Sequence, residues 1–232
     1  VGWVSFERML RKVLRAREHE AGPPEARAPR VVALLPIYNS ATTLTLTLDS
    51  LLPHVDRIIM FEGAYDDSPG TGVRSADRTL NIAYSYQRDF SSRVELYLQR
   101  ARMTRQEKWN YLINLVMPGD LALLMDLDEV LLVLEEGPFE RPRGETADYY
   151  LLDVVWYDAL SRGVRVDPRI KLIRKRPGLR FTGRSWVVGE QVLGEPSVSP
   201  ELLKQMGWYL RGAQIFRLDF LRPTVYRALL RG

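Results

Sequence analysis

The sequence contains no cysteine and only two histidines, His19 and His54, in 232 residues. That excludes a disulfide framework, a zinc ribbon, a thiol nucleophile, an iron–sulfur centre and a histidine-rich metal site. Any metal ion would have to be held by oxygen. Long apolar runs are also missing. The best candidate for a membrane span, residues 121–134, carries Asp126, Asp128 and Glu129, and no stretch reaches about 18 uncharged apolar residues. Residues 1–20 do not read as a secretory leader, because Arg, Glu and Lys interrupt their apolar positions. The expected setting is therefore reducing and cytoplasmic, with peripheral membrane contact as a further expectation. The chain begins at Val1 rather than Met, as a trimmed or partial chain would.

Lysine is scarce as well: Arg outnumbers it by 28 to 5. Together with the few Asn residues this reads first as compositional bias or heat adaptation, although Arg also suits bidentate recognition of phosphate. What is present is ordinary for a globular protein, with 46% hydrophobic residues and a net charge of +4. A chain of this size can bury roughly 70% of its unfolded surface and needs no covalent staples. No repeat is visible at a period of about 20 to 50 residues.

Residues 3–18 place Trp3, Phe6, Leu10, Val13 and Leu14 on one stripe, which predicts an amphipathic helix. A Pro- and charge-rich linker follows over residues 21–30. Val31–Ile37, Arg57–Phe61, Val94–Leu98 and Leu121–Met125 are apolar runs of the kind buried on both faces of a parallel sheet. Between them a helix is predicted to run to Leu52, capped by Ser40 or Thr42, and another over Thr104–Met117 with Trp109, Leu112, Ile113 and Val116 on one face. The order strand, helix, strand, strand, helix, strand gives an α/β layer fold with a mostly parallel sheet flanked by helices. Beyond Gly137 the strands are shorter, at Asp148–Val155, Arg169–Ile173 and Leu179–Phe181, so the second half reads as mixed or antiparallel. Helices are predicted over Pro200–Leu210 and Val225–Leu230. The division expected is residues 1–29 as helix and linker, 30–200 as the main domain (30–134 a nucleotide-binding half, 135–200 a half that shapes the second substrate's site), and 201–232 as a helical basic and aromatic segment.

Asp126-Leu127-Asp128-Glu129 follows the last buried run. In an extended chain Asp126 and Asp128 would share one side, about 7 Å apart. Three acids in four residues repel one another, and a divalent cation is one way to offset this. In open α/β sheets, ligands bind outside the carboxyl ends of the strands, where this tetrapeptide lies. The plain structural alternative is that it only caps the following apolar stretch.

Four segments in order resemble the family 2-like glycosyltransferases of the GT-A fold. Leu35-Pro36-Ile37-Tyr38-Asn39 is similar to the first-strand motif, and residues 57–66 (RIIMFEGAYD) to the second strand. Lys108-Trp109-Asn110 resembles the "ARN" helix, and residues 119–129 the "GDWILFLDADE" segment. The resemblance implies a GT-A-type fold and a nucleotide-diphosphate sugar donor. It places Pro36, Tyr38 and Asn39 near the nucleoside, Glu62 near the base, Lys108 and Asn110 near base or diphosphate, Asp126 at the ribose, and Asp128, with Asp126, on Mn2+ or Mg2+. Glu62 and Gly63-Ala64-Tyr65 depart from the usual second-strand pattern. Residues 167–184 resemble the family's acceptor-side segment, except that Ser185-Trp186 replaces its His-Glu pair. An inverting transferase also needs a carboxylate to take the acceptor's proton. Glu190 is the first candidate, followed by Asp158 and Asp153.

The implied function is metal-dependent, inverting transfer of a sugar to an acceptor hydroxyl on a saccharide or a lipid-linked acceptor. Nucleic acid is not an expected partner, since no binding motif accompanies the aromatics. Nine basic residues between Arg162 and Arg184, and arginines interleaved with aromatics near the C-terminus, keep open peripheral membrane contact through the terminal segments. Two alternatives stand beside this reading. One is a nucleotidyltransferase, which would ordinarily show a Gly/Lys-rich phosphate loop after the first strand. The other is a non-catalytic binder of anionic membranes or polymers.

Overall fold

The computed structural model describes residues 27–70, 72–158, 163–193 and 209–217. The helices expected over residues 3–18 and 225–230 lie outside the described residues, as does most of the one expected over 200–210.

Eight strands form one sheet. In chain order the elements are β1 (Val31–Ile37), α1 (Leu44–Leu51), β2 (Arg57–Glu62), α2 (Thr79–Asp89), β3 (Val94–Leu98), α3 (Arg105–Asn114), β4 (Leu121–Leu124), β5 (Glu129–Val133) and α4 (Glu140–Gly144). They continue with β6 (Tyr149–Asp158), β7 (Gly163–Arg174), β8 (Leu179–Phe181), β9 (Trp186–Val188), β10 (Gln191–Leu193) and β11 (Tyr209–Arg217). The large sheet has the order β3-β2-β1-β4-β7-β6-β11-β5, and β8, β9 and β10 make a small antiparallel sheet. The first four strands of that order are parallel, whereas β4–β7, β6–β7 and β5–β11 are antiparallel. A parallel first half and a mixed second half match the pattern of the sequence.

The continuous apolar runs are explained by burial on both faces. Along β1, Val31, Ala33, Leu35 and Ile37 join a core that includes Leu44, Leu48 and Leu51 of α1 and Ala83 of α2. Their neighbours Val32 and Leu34 join a second core with Trp109, Leu112 and Ile113 of α3 and Leu179 and Trp186 of the small sheet. Successive side chains of a strand point to opposite faces, so one heptapeptide organises both layers.

Pro36 lies inside a central strand, where a missing N–H is normally excluded. Pairing of β1 with β4 ends at Leu34, and residue 36 faces that same side, so no ladder bond is lost. Pro36 thus marks where β1 and β4 part, at the carboxyl ends of the strands, the end at which open α/β sheets bind ligands.

Three expectations change. The helix α2, not foreseen, supplies the crossover that parallel β2 and β3 require. Its core-facing stripe is short and weakly apolar, with Thr79 and Ala83 buried and Ile82 and Tyr86 partly buried, so it stands out little in the sequence. The first helix is capped by Thr43 rather than Ser40 or Thr42, without a side-chain capping bond. Finally, Tyr209–Arg217, assigned to a helical segment, is a strand inserted between β6 and β5. Its buried Ala213 and Ile215 alternate with period two, a signal masked by the neighbouring aromatics and arginines.

Candidate active site

The carboxyl ends of β1, β2 and β4 meet at one rim. At the end of β1, Asn39 takes a positive φ of 47°. Its side-chain oxygen accepts from the Ala76 amide at 2.8 Å, and its own amide donates to Ser75 Oγ at 2.9 Å. Glu62, at the end of β2, is fully buried and accepts from the Ser75 amide at 2.7 Å and from Arg74 Nη1 at 3.1 Å. These two residues, read from the sequence as nucleoside contacts, fold residues 74–76 across the strand ends. Tyr38 is half-buried beside them.

Lys108 is also fully buried. Its ammonium donates to the Gly63 carbonyl and stands 4.0 Å from the centroid of the Tyr65 ring. Burial draws its pKa down to about 8, against the opposing pull of Glu62. The Tyr65 hydroxyl is held well above its ordinary range, by burial first and by the charge of Asp126 second. Asn110 points elsewhere: its side-chain amide donates to the Phe181 carbonyl at 2.9 Å and its oxygen accepts from the Phe181 amide at 2.7 Å. That reciprocal pair pins β8 to α3, so Asn110 braces the small sheet.

The acidic tetrapeptide is a turn and not an extended segment, since the Glu129 amide donates to the Asp126 carbonyl at 3.2 Å. The side chains therefore diverge. Asp126, at 30% side-chain exposure, has Arg105 Nη2 at 3.5 Å and Lys171 Nζ at 3.8 Å. Asp128, at 8%, has Arg217 Nη2 at 3.2 Å. Glu129, at 1%, holds Lys171 Nζ at 2.7 and 2.6 Å from its two oxygens, and one of those oxygens also accepts from the Asp126 amide at 2.7 Å. Thr43 Oγ1 donates to the Leu127 carbonyl at 2.6 Å, tying the turn to the start of α1.

A bulge delivers Lys171. Tyr150 pairs with Leu172 and Leu151 with Ile170, so Lys171 is the extra residue of β7. An extra residue re-aims a side chain that alternation would otherwise send to the other face. Arg217 reaches Asp128 from the end of β11, where it lies opposite Glu129 of β5. Arg105 opens α3, whose N-terminus is held by a capping box: the Glu107 amide donates to Thr104 Oγ1 at 3.1 Å and the Thr104 amide to Glu107 Oε2 at 2.8 Å.

For the Mn2+ or Mg2+ expected from the sequence, these donors are a poor fit. Each acid of the turn faces a cation of the chain, and among the described residues no three His, Cys, Asp or Glu side chains converge to hold an ion.

Of the proposed bases, Glu190 is exposed in the turn between β9 and β10. Asp153 alternates along β6 with Leu152 and Val154, which face the core shared with Leu131 and Ile215. It therefore lies on the other face from Glu129, and its Oδ1 is buried without a hydrogen-bond partner among the described residues. The side chain of Asp158 lies outside the described residues. The cations that sequence reasoning did not assign to the site are Arg105, Lys171 and Arg217. A lysine within the short strand predicted at Arg169–Ile173 was the one signal for a partnered charge.

A concavity of about 500 Å3 opens at the amino ends of β1 and β2 between His54, Asp56, Arg93, Phe139 and Arg143. No sequence-predicted site residue lies there. Among the described residues no helix is long and apolar enough to cross a membrane.

No family model matches the sequence, and no curated protein does. Solved structures do. GalNAc-T7, solved with UDP, GalNAc and Mn2+, superposes with a TM-score of 0.50 at 11% identity over 84% of this chain and 45% of its own. TarS 1–349 of S. aureus matches at 0.46 and 15% identity, over 82% of this chain and 58% of its own. The glycosyltransferase GlyE of Streptococcus pneumoniae TIGR4 matches at 0.35 and 13% identity, over 64% of this chain and 34% of its own. The chain thus spans less than two thirds of the length of each. With its parallel first half and its mixed second half, the chain has the GT-A fold of glycosyltransferases.

Proposed function

We propose that the chain is a glycosyltransferase that moves a sugar from a nucleotide-diphosphate donor to an acceptor hydroxyl. The observation that carries this reading is the placement of Asp126. It is the part-exposed acid of the turn, at the carboxyl end of β4 where β1 and β4 part, the end at which open α/β sheets bind ligands. A carboxylate there suits the two hydroxyls of a ribose, and the Asn39, Gly63 and Tyr65 segments form the neighbouring rim for a base. Likeness in fold to a protein solved with UDP and GalNAc supports the donor class.

The reaction proposed is an inverting, direct displacement at the anomeric carbon. The acceptor oxygen attacks, the diphosphate leaves, and a carboxylate of the second half takes the hydroxyl proton. Glu190, free to approach an acceptor from the β9–β10 turn, is the favoured base over Asp158 and Asp153. No step is routed through Mn2+ or Mg2+, because the acids expected to hold the ion are already neutralised. Retention of the acceptor, whether saccharide or lipid-linked, falls to the second half and its basic strands.

A thermal-shift panel of UDP, GDP, CDP, dTDP and ADP tests the reading. A ligand present at about 100 times its dissociation constant stabilises the native state by about 2.7 kcal/mol. One nucleotide raising the melting temperature well above the others fixes the donor base, whereas a flat panel contradicts the proposal and favours the anionic-surface binder.

A further inference from the structure

Charge in the acidic turn is balanced from within. Three carboxylates, Asp126, Asp128 and Glu129, face three cations, Lys171, Arg217 and Arg105, which come from a bulge in β7, from the end of β11 and from the first position of α3. A hard divalent ion binds carboxylates whose charge is uncompensated and completes its shell with water and phosphate oxygens. To take Asp128 it would have to displace Arg217, whose side chain is only 20% exposed, from a carboxylate it holds at 3.2 Å. Nor does an imidazole stand near: His54 lines the concavity at the opposite end of the strands, and His19 lies outside the described residues.

The three cations are not equivalent. Lys171 and Arg217 are mostly buried and close on their acids at hydrogen-bond distance. Arg105 has a side chain 62% exposed and stands 3.5 Å from Asp126, beyond close hydrogen-bond distance, so solvent reaches it at the rim. A guanidinium so placed can grip two phosphate oxygens at once.

We propose that Arg105, backed by the charge of Lys171 and Arg217, takes the place of the divalent cation, so that this chain binds a nucleoside diphosphate without metal. This rests on the donor reading above. Arg105 is the phosphate ligand; Lys171 and Arg217 are positioning residues that keep the acids of the turn from repelling the diphosphate.

Isothermal titration of the full chain with UDP and GDP, in EDTA and in millimolar Mn2+, separates the possibilities. The expected result is a dissociation constant for the preferred nucleotide that changes by less than about threefold between the two buffers. Arg105→Ala is expected to weaken binding in EDTA by at least about tenfold with an unchanged melting temperature, and Arg105→Lys to recover part of the loss. Electron paramagnetic resonance gives a readout free of nucleotide: the signal of free Mn2+ should be undiminished by an equimolar amount of protein. Binding that tightens about tenfold or more with Mn2+, stoichiometric loss of the free Mn2+ signal, or an Arg105→Ala variant that binds like the wild type would each overturn the proposal while leaving the donor reading intact. Failure of both nucleotides to bind in either buffer would overturn the donor reading for these two bases and the proposal with it.

Discussion

Lys171 and Glu129, 42 positions apart in sequence, meet with the ammonium 2.6 and 2.7 Å from the two carboxylate oxygens, and both residues are buried. Burial above all pushes the Glu129 carboxyl upward, the Lys171 charge opposes it, and the nearby Asp126 charge adds to the upward push. The pair fastens the start of β5 to the bulge of β7 and so fixes the turn that carries Asp126 and Asp128.

Removing one partner strands the other. Lys171→Met is expected to destabilise the fold by about 3–5 kcal/mol, while Lys171→Met combined with Glu129→Leu should recover most of that loss, because an apolar replacement of a buried pair is often neutral. Urea denaturation of the three proteins checks this. A double variant as unstable as the single one would show that the loss is not the cost of an unpaired carboxylate.

Lys108 makes a prediction about pH. Its folded-state pKa is lowered to about 8, below the ordinary value of a free lysine, so between those two values the unfolded chain binds more protons than the native one. Stability from this group therefore rises with pH across that window, by up to roughly 3 kcal/mol, and the burial cost of the ammonium is fully present below it. Lys175, also lowered to about 8 by burial, adds to the same rise. The difference in urea stability between wild type and Lys108→Met, followed from pH 7 to 10, isolates the first residue; a difference that stays flat would refute the assignment.

Asn110 holds β8 by a reciprocal pair of hydrogen bonds to Phe181. Asn110→Ala should cost about 1–3 kcal/mol, and hydrogen exchange at the Phe181 amide should accelerate more than at the amides of β1. Equal acceleration across the molecule would mean general destabilisation and no specific brace.

Thr104 and Glu107 close the capping box beside Arg105. Thr104→Ala is expected to cost about 1 kcal/mol, measured by calorimetry, and Thr104→Ser to cost less. An alanine variant as stable as the wild type would remove the cap from the reasons for Arg105's position.

The apolar runs at Val31–Ile37, Arg57–Phe61 and Leu121–Met125 were legible as buried strands because both faces of the sheet are covered. Their carboxyl ends marked the rim where the candidate site lies, and the acids at residues 126–129 stood out on composition alone. The geometry around them was not legible. Alternation placed Asp126 and Asp128 on one side, but a turn separates them. Lys171 is aimed by a bulge that no local pattern announces, and Arg217 arrives on a strand written in residues that read as an amphipathic helix. Glu62, Asn39 and Asn110 carry polar groups in positions suited to a ligand, yet each is engaged by backbone of a distant segment, which only the folded chain displays.

The most direct measurement is amide chemical-shift mapping of the full chain with the nucleoside diphosphate that performs best in the thermal-shift panel, in chelating buffer. Donor binding at the strand ends predicts shifts at Asn39, Gly63, Tyr65, Arg105 and Asp126 to Asp128, while Asp56, Glu140 and Arg143 at the opposite concavity stay in place. Shifts confined to that concavity, or none at saturating ligand, would contradict a donor site at Asp126.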